Sequence, residues 1–345
     1  MNPAIIPAVT SILAVIFCLA LLDQWRERRR SHQLAWAIGI LSFAVGSACE
    51  AIALGSGWTE ALYKTWYLAG ALFTAGWLGL GTALLLGRTR FGYTFAFSLF
   101  LAGLFTLATE AKFHYAGAGA APTVYFVTAT ALAVAIGALT YRGARWAIVA
   151  ASAAVVVSLV SVVMMATTTL ASPGYALDPV TGFPVGTLFP GTIRLLTPLL
   201  NITGAFSLVF GALFSAYVFM PRRPLPGRSL DPGQPVGRLL TNLVIAPPTM
   251  AIDFVRSIPS AVRAFAAGTL NSRVPSTILI ALGGMAAGGV DALNRFGSTA
   301  LFETGKLVAL VLIFAGFLVS AETVHEVRIP FTRIRLRAAR TERTE

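Results

Sequence analysis

Apolar residues fall along this chain in long unbroken runs, not in the alternation of a half-buried strand or the one-sided stripe of a soluble helix. The runs lie at Ala4–Leu22, Leu34–Gly55, Thr65–Gly87, Phe91–Thr109, Thr123–Tyr141, Trp146–Thr168 and Leu195–Met220. Two more, Pro275–Leu293 and Ala300 to Ser320, follow a polar interval. Lipid offers the backbone no hydrogen-bond partner, so an apolar run of about 20 residues crosses a bilayer as a helix. The pattern predicts an all-α integral membrane protein: a seven-helix transmembrane bundle over 1–220 and a two-helix transmembrane hairpin over 274–324, nine spans together. The eighth span is rich in glycine and bounded by Pro275 and Asp291, and either a full crossing or a re-entrant segment fits it.

Between the bundle and the hairpin, 221–273 begins with the Pro- and Arg-rich stretch Pro221–Arg228, which reads as an extended linker. Within Met250–Gly268, Ile252, Val255, Ile258, Val262 and Phe265 recur at helical spacing while Asp253, Arg256 and Arg263 fall largely on other faces. That predicts an amphipathic helix, bent at Pro259, which either lies on the membrane surface or packs beneath the bundle. The tail, 325–345, alternates basic and apolar residues around Arg333, Arg335 and Arg337, a pattern attracted to anionic lipid headgroups.

Composition hardens the membrane reading. Of 345 residues, 56% are hydrophobic and 12% charged, with a mean hydropathy of +0.76, which excludes a soluble globular domain. The formal net charge of +12 would suggest nucleic acid on a soluble protein. Its distribution says otherwise. Of the 26 Lys and Arg, 21 fall in alternate connections and in the tail, while Lys64, Lys112, Arg194, Arg295 and Lys306 occupy the other side. By the positive-inside rule the N-terminus is expected outside and the C-terminus in the cytoplasm, at the cytoplasmic membrane. No aromatic stacking platform accompanies the basic residues, so no nucleic-acid partner is expected. The first span lacks a positive n-region and is expected to be retained. Cys18 and Cys49 lie inside spans and read as packing residues.

Candidate chemistry is sparse. His32, His114 and His325 all lie outside the spans, so neither a transmembrane haem nor a zinc site of the H-E-x-x-H kind is expected. No Walker A or dinucleotide fingerprint is present, and no cofactor is expected. Intramembrane ionisable groups remain as suspects. Glu50 stands five residues before the end of span two, about 7 Å deep, with Gly46 and Ser47 on its face. Lys64 at the mouth of span three is its nearest candidate partner, and a structural ion pair near the headgroups is favoured over a binding site.

Span seven places Arg194, Thr197, Pro198 and Asn201 along one face, where Pro198 frees a carbonyl one turn earlier. Asn201 needs a hydrogen-bond partner, as interhelical glue or as the lining of a cavity. In the last hairpin Glu303 and Lys306 are three apart on one face. A retinal Schiff base needs a lysine midway along its helix, and Lys306 lies in a first turn.

These groups gather on the outer side, below the Gly- and Pro-rich loop Thr169–Thr192 with its Tyr175, Phe183 and Phe189, which suits a lid over the bundle mouth. Glycines in span three (Gly70, Gly76, Gly79, Gly81, Gly87) and the Gly284-x-x-x-Gly288 pair allow close helix packing or a contact with a second copy or another membrane subunit. Trp58, Trp66 and Tyr67, with Trp25 and Trp146 at the other end, read as interfacial belts. The expected function is a non-catalytic binding or sensor-like module, or a subunit of a membrane complex. A transporter or channel with a path past Glu50 and Asn201 is the alternative.

Overall fold

The structure, a computed structural model, describes residues 4–179, 182–221, 236–295, 302–319, 327–328 and 335–336. Among these, nine helices are long and apolar enough to cross a membrane. They are α1 (Ile5–Arg28), α2 (Ser31–Ser56), α3 (Glu60–Leu85), α4 (Phe91–Phe113), α5 (Ala121–Tyr141), α6 (Trp146–Thr167) and α7 (Gly191–Phe219), then, after the amphipathic α8 (Val236–Ala266), α9 (Arg273–Arg295) and α10 (Phe302–Val319). The chain is an all-α multi-pass membrane protein. The linker before α8 and almost all of the basic tail lie outside the described residues; of the tail, Val327–Arg328 pairs antiparallel with Arg335–Leu336.

The helix ends follow from local chemistry. Thr59 Oγ1 accepts from the Leu62 N–H (3.2 Å) and caps α3. Arg29 and His114, at φ 52° and 47°, close α1 and α4 in the left-handed conformation. Helices α3 and α7 form the centre, with α2 and α4 packed against them. Hairpin α9–α10 sets α9 on α7 and α10 on α1, closing the bundle rather than standing apart from it. Phe17 of α1 stacks on Phe314 of α10 at 4.6 Å between ring centres. Glycine permits the central crossing: a Cβ on Gly79 of α3 would stand 2.5 Å from the Cα of Gly204 of α7. Gly283 and Gly284 are likewise used inside the chain, facing Ile313 and Val209, whereas a Cβ on Gly288 or Gly289 would meet nothing.

Local details refine the expectation, and the break ahead of Pro198 agrees with it. Residues Tyr67–Phe73 of α3 form a π-helix, because Thr74 gives both its N–H and its hydroxyl (3.0 Å) to the Ala69 carbonyl. Helix α7 opens with one turn, Gly191–Arg194, and resumes at Leu196, since Pro198 has no N–H for the Arg194 carbonyl. Helix α8 starts at Val236, well before Met250, with Pro259 inside it. Tyr67 and Trp146 (1% exposed) are buried rather than turned to lipid, and they and the half-buried Trp66 use their polar atoms inside the protein.

Helix α8 packs one face against the bundle end and turns the other away from it. Asp253, Ser257 and Ala261 are buried against the end of the bundle, beside Tyr217 and Val274. Val255, Val262 and Phe265 (68% exposed) face outward. A soluble protein would do the reverse; here the outward apolar stripe suits lipid.

Candidate functional site

At the end of the bundle where α2 gives way to α3 and where α10 starts, three buried ionisable groups meet. Glu50 lies on the small-residue face of α2 (Gly46, Ser47, Ala53) and is 3% exposed. Gly46 lets the π segment of α3 come close: a Cβ there would be 3.3 Å from the Gly70 Cα. That approach brings Trp66 to Glu50, and the indole Nε1–H donates to Oε1 at 2.8 Å. The other carboxylate oxygen takes the Lys306 ammonium from α10 in a hydrogen-bonded ion pair. Lys306 also stands 2.8 Å from Glu303 Oε1. That contact is close in distance but off the hydrogen-bonding direction, and Glu303 Oε2 has no hydrogen-bond partner. Glu303 is 7% exposed.

Two carboxylates therefore share one ammonium. With all three ionised the cluster has one negative charge in excess, and a buried uncompensated charge is costly. The vacant carboxylate oxygen calls for a positive or proton-donating partner.

The connection from α6 to α7 covers this end. Phe189 is buried in it, stacked on Tyr63 (4.9 Å) and tilted against Tyr67 (4.3 Å). The Tyr63 hydroxyl donates to the Val185 carbonyl, and Phe183 packs on Phe302, whose ring also lies 4.7 Å from Lys306 Nζ. The loop thus closes over the first turn of α10, as a lid would.

Of the residues singled out from sequence, Glu50, Glu303 and Lys306 come together. Lys64 does not join them. It pairs with Glu60 one turn earlier (2.7 Å) and donates to the Thr168 carbonyl (2.6 Å), so it ties down the start of the lid. Arg194 lies over the Tyr115 ring (3.9 Å) in a cation–π contact beside the α4–α5 connection. Asn201 lies further along α7, its Oδ1 buried and without a hydrogen-bond partner.

Sequence reading missed Trp66 as a ligand of Glu50 and Lys306 as its counter-ion. Depth held the usable signal. Glu50 is six residues from the end of α2 and Lys306 four past the start of α10, which puts both about 6–9 Å from the same end of the bundle.

Among the described residues no group of three His, Cys, Asp or Glu side chains is placed to hold a metal ion. Comparison with protein-family models, with curated proteins and with solved structures finds no match, so any assignment of role rests on the site itself.

Proposed function

We propose that this protein is a non-catalytic membrane module, sensor-like or a subunit of a membrane complex, that binds a small or lipidic ligand at the lid end. The supporting observation is Glu303: a carboxylate buried beneath the lid, with one oxygen unpartnered, beside a lysine already committed to Glu50. A ligand carrying a cation or a hydrogen-bond donor satisfies that oxygen. The positive-inside count favours an N-terminus outside and a C-terminus in the cytoplasm, so the lid end faces outward at the cytoplasmic membrane.

A transporter with a path past Glu50 and Asn201 is the second reading, favoured by the unpartnered Asn201 Oδ1. Below the ion cluster, however, the hydroxyls of Ser42, Thr82, Ser98 and Ser207 are each spent on the carbonyl four residues back in their own helix. Those hydroxyls can therefore only accept, and offer such a path no donors.

Native mass spectrometry of the purified chain tests the first reading. A specific small molecule should be retained by the wild type and lost from Glu303→Gln. Uptake into proteoliposomes that Glu50→Gln and Asn201→Ala both abolish would establish the second instead.

A further inference from the structure

The opposite end of the bundle carries a cavity of about 380 Å³ between the α3–α4 and α5–α6 turns. Arg88, Arg90 and Arg142 line it together with Thr89, Tyr141 and Gly143. No acidic side chain lines it, and among the described residues neither Arg88 nor Arg142 has a carboxylate partner.

The two turns are pinned to each other. Trp146, buried at the floor, donates its indole N–H to the Thr89 carbonyl (3.2 Å), and the Thr89 hydroxyl bridges the Phe91 N–H (3.2 Å) and the Leu86 carbonyl (2.8 Å). Helix α4 approaches so closely that a Cβ on Gly92 would meet Trp146 Nε1 at 2.8 Å. The arginines are therefore mounted on a fixed frame.

One helical turn deeper lies a second, apolar cavity of about 110 Å³. Helix α5 contributes Thr140 to the basic cavity and Ile136 to the deeper one; α6 contributes Trp146 and Ala150. Four residues are about 6 Å of helix, so the two spaces stand in line. The deeper one exists because α5 and α6 face each other across small side chains, Ala129, Ala150 and Ala154. Thr203 Oγ1 on its wall is buried without a hydrogen-bond partner.

We propose that the two cavities form one binding site for an anionic phospholipid. Arg88 and Arg142 hold the headgroup phosphate, Arg90 adds positive charge, and one acyl chain enters the alanine-lined gap. Guanidinium groups suit a phosphate because their paired N–H groups match its oxygens. Basic pockets between membrane helices at headgroup depth select anionic lipid over zwitterionic lipid. A free phosphate would leave the deeper cavity unused, which singles out the lipid. The site is independent of the lid-end reading.

The test is native mass spectrometry of the delipidated full chain titrated with phosphatidylglycerol, phosphatidylcholine or inorganic phosphate. One phosphatidylglycerol should be retained in preference to phosphatidylcholine. Arg88→Gln with Arg142→Gln should weaken it about 30-fold, two surface charges each counting for about a factor of five. The Arg→Lys pair should recover part of that, and Ala154→Phe, which fills the deeper cavity, should weaken retention with the arginines intact. Both arginines are exposed, so the glutamine variants should keep the wild-type melting temperature. Equal retention of the two lipids, indifference to the Arg→Gln pair or to Ala154→Phe, or displacement by millimolar phosphate would each overturn the proposal.

Discussion

Lys306 is the residue on which most converges, because one ammonium serves Glu50 and Glu303 together. Removing one partner of a buried ion pair strands the other, at about 3–5 kcal/mol. Lys306→Met is therefore expected to destabilise strongly, since it leaves two carboxylates uncompensated. Glu303→Gln removes the excess charge and leaves the Glu50–Lys306 pair in place, so it should be near neutral or stabilising. Thermal unfolding in detergent followed by circular dichroism checks both, and a large loss in Glu303→Gln would show that its carboxylate has a role the contacts do not reveal. The pairing was only half legible in the sequence. Charge type and depth mark Glu50 and Lys306 as suspects, but Lys64 is nearer in the chain. The Glu60–Lys64 contact, one helical turn long, takes Lys64 away.

At the scale of the helices, close approach decides what is tolerated. A side chain on Gly204 would run into the Ala75 carbonyl, a backbone atom that cannot rotate away. Gly204→Ala should cost about 1–3 kcal/mol by overpacking, whereas Gly288→Ala, with open space around it, should be neutral or gain a little helix propensity. Melting temperatures of the two variants give the comparison. Helix α8 offers a different reading. A cysteine at Val255 should react readily with a membrane-soluble maleimide and one at Ser257 should not, just as the buried native Cys18 and Cys49 should label slowly. Equal labelling at both positions would mean that α8 leaves the bundle. The long apolar runs made every span legible, because hydropathy over about 20 residues is a local property. The π turn in α3 was not, since nothing in its apolar run marks out the Ala69 carbonyl as the one that takes both the N–H and the hydroxyl of Thr74.

Across the whole molecule the two ends are chemically unlike. One gathers acidic groups, all three lysines and an aromatic-anchored lid; the other gathers arginines around a cavity and an amphipathic collar. This polarity was visible in the sequence as the alternation of basic and nearly neutral connections. The cavity between two arginine turns was not, because it depends on Trp146 reaching across to Thr89. If the positive-inside count sets the orientation, reporters fused at Gly117, Ala176 and Gly297 should all be active outside the cell. A cytoplasmic signal at Gly297 alone would mean that α9 does not cross.

The ion pair between Glu50 and Lys306 also has a consequence in time. Its partners are 256 residues apart. At a synthesis rate of about 5–20 residues per second, Glu50 enters the membrane about 13–50 s before its counter-ion is made. During that interval the nascent bundle holds an unpaired acid in α2, which the emergence of α10 relieves. The last hairpin thus supplies the charge partner of a residue in the first. A chain stopped after Met220 should be cleared faster in pulse–chase than the full chain, and the same truncation carrying Glu50→Gln should survive longer.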